Sequence, residues 1–94
     1  MRRDLHANAA QAALNIQEWE SAAAFATEVL KVEPKHPKAL YRRAAAWLGR
    51  GADGDGELAV SDLERLIELQ PANAAAIKLM ARARAEAEGY MTMA

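Results

Sequence analysis

Lys38 and Arg42 sit four residues apart in the stretch KALYRRAAAW (38–47), a spacing that puts both on one face of a helix. Two cations on one face are suited to gripping carboxylates, because charge-assisted hydrogen bonds are about twice as strong as neutral ones. Leu40, Ala44 and Trp47 lie along a different stripe, where they can pack against neighbouring helices. Arg43 is expected to be solvated or paired within the protein rather than to meet a ligand. His6 and His36 are the only histidines, one near the start of a helix and one in a proline-flanked turn. No cysteine, serine–histidine–aspartate set or paired carboxylate accompanies them, so both are expected to be structural or solvated, with no catalytic residue and no cofactor. Asp53-Gly-Asp-Gly-Glu57, followed by Ser61 and Glu64, has part of the spacing of an EF-hand loop. That loop requires glycine where Leu58 stands, so a flexible acidic turn holding no metal is expected.

The elements that must position these groups are small in number, because 94 residues make one domain with a narrow stability margin. Hydrophobic residues make up 52% of the chain but aromatics only 5%, so the apolar content is mostly alanine and favours closely packed helices around a thin core. A net charge of −1 argues against a general nucleic-acid binder. The charge is unevenly spread. Lys31, Lys35, Lys38, Arg42, Arg43 and Arg50 form a basic block opposed only by Glu33, and it adjoins an acidic block of Asp53, Asp55, Glu57, Asp62, Glu64 and Glu68 opposed only by Arg65. The N-terminus has no continuous apolar segment of signal-peptide type, and 18 uncharged apolar residues never run together, so neither a leader nor a membrane span is indicated. With cysteine absent, a soluble protein of the cytoplasm is the expectation.

The chain also repeats itself. Residues 22–34, AAAFATEVLKVEP, overlay residues 59–71, AVSDLERLIELQP, with Ala22 on Ala59, Val29 on Leu66, Leu30 on Ile67, Val32 on Leu69 and Pro34 on Pro71, all at an offset of 37. Ala10 over Ala44 and Ala13 over Trp47 give 34, which locates a three-residue insertion in GRGADGDG (49–56). A 34-residue unit of two helices closed by a proline resembles the tetratricopeptide repeat, carried here by Trp19, Ala22, Leu30 and Pro34 and again by Trp47, Ala59, Ile67 and Pro71. The resemblance implies an all-α superhelix of antiparallel helix pairs. Five helices are expected at 3–17, 20–33, 37–50, 57–70 and 73–88, with a first repeat over 3–36, a second over 37–73, a capping helix over 74–88 and a frayed tail over 89–94. Pro34, Pro37 and Pro71 punctuate this series. The first helix carries one polar stripe, Asp4, Asn8, Gln11 and Asn15, in an otherwise apolar segment. Such a helix is normally covered on more than one side, so a missing preceding repeat, or self-association of the isolated chain, is expected.

Asn8 in LHANAAQAAL, taken with Lys38 and Arg42 in KHPKALYRRAAA, is similar to the carboxylate-clamp tetratricopeptide domains of co-chaperones, a group that includes large immunophilins and UNC-45-like myosin chaperones. The similarity covers roughly residues 4–88. It implies that Asn8, Lys38 and Arg42 hold the acidic C-terminal tail of an Hsp90- or Hsp70-type chaperone in the concave groove, with two more clamp residues from a preceding repeat. Two other readings stand beside it: a scaffold that binds a different protein segment or itself, and the docking arm of a larger enzyme such as a peptidyl-prolyl isomerase.

Overall fold

Alanine, leucine, glutamate and arginine fill long stretches of the chain and favour helix, with proline or glycine in the later connections and Ile16-Gln17-Glu18 in the first. The computed structural model describes the backbone of residues 2–92 and the side chains of residues 8–88. It contains α1 (Arg2–Asn15), α2 (Trp19–Val32), α3 (Pro37–Arg50), α4 (Asp55–Leu69) and α5 (Ala74–Thr92), and no strand among the described residues.

The ends follow from local chemistry. Glu33 and Pro34 close α2, and His36 then caps α3, its Nδ1 accepting from the Ala39 N–H at 3.1 Å while Pro37 takes the first helical position. Asn73 caps α5 in the same way, its Oδ1 accepting from the Ala76 N–H at 3.0 Å. Helix α1 stops two residues before the expected end. Gln17 adopts φ 61°, and its N–H reaches Leu14 O at 3.0 Å while the Glu18 N–H reaches Ala13 O at 2.8 Å. That bonding pattern is a Schellman turn, built on a glutamine where glycine is usual. Helix α5 continues through Thr92, past the expected end at 88; Met93 and Ala94 lie outside the described residues, as do the side chains of Asp4 and His6.

Each helix packs on the next, and the short connections make neighbours antiparallel. Helices α1, α3 and α5 also touch in series, whereas α2 and α4 do not meet. The odd-numbered helices therefore form an inner layer and the even-numbered ones an outer layer, with the array curving towards the inner side. This is an all-α helix-pair repeat fold. Its core lies between the layers, where the repeat partners Ala10 and Ala44, Ala22 and Ala59, and Val29 and Leu66 are all buried. The pair before the prolines behaves differently: Val32 and Leu69 end the outer helices and are exposed.

Two glycines set how closely these helices approach. A Cβ on Gly49 would lie 2.5 Å from the indole of Trp19, and one on Gly56 would lie 2.7 Å from the backbone nitrogen of Ala87. The stretch 51–56 is an exposed turn only as far as Gly54, since Asp55 and Gly56 are buried in the first turn of α4. Gly51 (φ 67°) and Gly54 (φ 87°) turn the chain through left-handed conformations, and α4 starts two residues earlier than expected, at Asp55. Asp55 is only 1% exposed, with Arg50 donating to both carboxylate oxygens at 2.8 Å and the Ala52 N–H donating at 2.9 Å. An acid that reads as solvated becomes the lock of the α3–α4 junction.

Candidate functional site

The cap at His36 and the fixed φ of Pro37 set the first turn of α3, from which Lys38 and Arg42 project. Helix α1 lies beside α3 in the inner layer and contributes Asn8. The three side chains border one depression of about 550 Å³, together with Glu33, His36 and Gln70. Asn8 and Lys38 are exposed, Arg42 is half-buried, and among the described residues Lys38 makes no ion pair. Burial lowers the Arg42 guanidinium from its ordinary value without approaching a neutral state. The three residues singled out in the sequence thus share one depression, lined by two cations, two amides and one acid besides His36 and Pro37.

A second depression of about 400 Å³ adjoins the first and shares Lys38, Arg42 and Gln70 with it. Tyr41, Asn73 and Gln11 form its other walls. Gln11 was legible only as part of an exposed polar stripe, yet its Oε1 accepts from Arg42 Nε at 3.1 Å and its Nε2 donates to Asn15 Oδ1 at 3.0 Å. Its place three residues after Asn8, on the same helix face, was the available signal. Gln70 and Glu33 reach the site from the ends of the outer helices, a closeness that spacing along one helix does not reveal.

Chemically, the groove offers donors with positive charge, suited to a carboxylate or another small anion. His36 Nδ1 serves the helix cap, and its Nε2 stands 3.9 Å from Glu33 Oε2.

A neighbouring face of α3 uses its charge internally. Arg43 donates from Nε and Nη2 to the Asp62 carboxylate at 2.9 and 2.7 Å, and from Nη1 to Thr27 Oγ1 at 3.3 Å. The hydrogen bonding to the Asp62 carboxylate, offset in part by burial, raises the Arg43 guanidinium above its ordinary value. Arg50 pairs with Asp55, approaches Glu20 at 3.5 Å and lies 5.1 Å from the centre of the Trp47 ring. Two internal pairs, Arg43–Asp62 and Arg50–Asp55, thus join the adjoining basic and acidic blocks. A third depression, about 610 Å³, opens at the α3–α4 turn beside Asp53, Asp55, Glu57 and Glu86. Among the described residues no cluster of three or more metal-ligating side chains occurs, and no helix is long and apolar enough to cross a membrane.

No family model matches the sequence. Proteins named FK506-binding protein-like from Homo sapiens, Rattus norvegicus and Mus musculus are each 41% identical to it over 75 residues. The match takes in 80% of this chain and 21% of each relative, so the chain spans about a fifth of the length of the curated relatives it matches.

Proposed function

We propose that the chain is a tetratricopeptide-type docking module of an immunophilin-related co-chaperone, binding the acidic C-terminal tail of an Hsp90- or Hsp70-type chaperone in the groove lined by α1 and α3. In this reading residues 3–36 and 37–73 are the two repeats and 74–88 the capping segment, and the module has no catalysis of its own. The observation that carries it is the gathering of Asn8, Lys38 and Arg42 around one depression. The name of the relatives, FK506-binding protein-like, supports the immunophilin side of the resemblance.

A free C-terminus beside acidic side chains presents several carboxylates in a small volume, which is what two cations and an amide can satisfy together. The test is a calorimetric titration of one acidic peptide in two forms, free acid and C-terminal amide. The reading expects the free acid to bind more tightly and to weaken as salt is raised. Equal affinity for both forms sinks it.

A second reading, self-association, draws on Ile16 at 71% and Ile77 at 50% exposure, apolar side chains on the first connection and the last helix. Sedimentation at high micromolar concentration decides it, with a stable monomer counting against.

A further inference from the structure

We propose that Gln11 is the positioning residue of the anion site, holding the Arg42 guanidinium at the boundary between the two depressions of the groove. The inference rests on the reading that Lys38 and Arg42 meet a carboxylate. An arginine side chain has only N–H donors, so the atom of Gln11 that faces Arg42 Nε at 3.1 Å is the amide oxygen. The amide nitrogen is then directed to Asn15, whose Oδ1 accepts at 3.0 Å. Turning the amide over would set donor against donor at one end and acceptor against acceptor at the other. The arginine end fixes its orientation, and the Asn15 amide turns to match it.

The bond also crosses from α1 to α3. Arg42 borders both depressions, whereas Asn8 borders only the first and Gln11 only the second. A long, half-buried side chain with many rotamers is thereby held in one place before a ligand arrives, which lowers the ordering cost of binding. Neither clamp cation has to change for this to matter.

The test uses the intact chain, a short acidic peptide with a free C-terminus, and its amide. Gln11→Ala is expected to weaken the free acid about three- to tenfold, the size of one solvent-exposed hydrogen bond, and to leave the amide unchanged. In an Arg42→Ala background the same substitution should change nothing. Heteronuclear NMR without peptide should show the Arg42 Nε–H signal displaced by Gln11→Ala and retained in Gln11→Glu, which keeps the acceptor. A parent that binds acid and amide alike overturns the site and this proposal together. A parent that discriminates, combined with an equal loss in both backgrounds or an unmoved Nε–H signal, overturns the proposal alone.

Discussion

Arg42 and Arg43 are adjacent and of the same type, yet α3 turns one towards the inner groove and the other beneath the outer helices. Arg42 meets the amide of Gln11 and borders open space. Arg43 is held by both oxygens of Asp62, a residue only 5% exposed, and by Thr27 of α2. The protonation energetics divide the same way, with burial lowering Arg42 and a carboxylate hydrogen bond raising Arg43. A cation locked to a buried carboxylate belongs to the fold; a cation that meets a neutral acceptor at the rim of an open depression can still reach a ligand. Helical phase decides which is which.

The largest expected effect lies on the outer side. Arg43→Ala leaves the Asp62 carboxylate buried without its partner and should cost about 2–4 kcal/mol in urea denaturation, somewhat less than for a fully buried pair because Arg43 keeps some solvent contact. Replacing the pair together, Arg43→Met with Asp62→Leu, should recover most of that loss. If the single substitution is silent, the contrast between the two faces breaks.

On the inner side the effect should appear in binding instead. Lys38→Ala and Arg42→Ala are each expected to weaken an acidic C-terminal peptide by about 1.5–3 kcal/mol, the range for hydrogen bonds to charged groups. Stability should change by no more than about 0.5 kcal/mol for the exposed Lys38 and by about 1 kcal/mol for the half-buried Arg42, which also loses its hydrogen bond to Gln11. Lys31→Ala, which breaks only an exposed pair with Glu28 on α2, serves as the control and should leave binding unchanged.

Gly56→Ala sharpens the account of the junction. Its new methyl group meets the backbone of α5 rather than a side chain that can move aside, so a loss of about 1–3 kcal/mol is expected in the same denaturation assay.

The smallest effect emerges only in acid. Arg50, chiefly through its hydrogen bonds, holds the Asp55 carboxyl below its usual value. The resulting stabilisation is fully present above the unfolded-state value of about 3.9 and is lost as pH falls through the lower folded value. The stability gap between the parent and Asp55→Asn should therefore shrink on acidification below about pH 4. A gap that stays constant with pH contradicts this.

How much of this could be read from the residues depends on range along the chain. The repeat phase marked Ala22, Ala59, Val29 and Leu66 as core, since spacing on one helix settles which face is buried. Proline and helix period likewise fixed α3 and placed Lys38 beside Arg42. The misses are tertiary. Val32 repeats faithfully at Leu69, but it ends an outer helix with nothing packed over it and is 70% exposed. Asp55 looked like its neighbours Asp53 and Glu57, and only the left-handed turns at Gly51 and Gly54 aim it back at Arg50. Asp62 finds Arg43 nineteen residues away across a helix pair, a distance over which composition carries no information.

The division of α3 into a ligand side and a structural side is tested most directly by mapping amide chemical shifts while a free-acid acidic peptide is added to the intact chain. The account predicts movement at Asn8, Gln11, Lys38, Tyr41, Arg42 and Gln70, with Thr27, Asp55 and Asp62 unmoved and the amidated peptide producing far smaller shifts. Shifts centred on Thr27 and Asp62, or the same pattern from the amide, would contradict it.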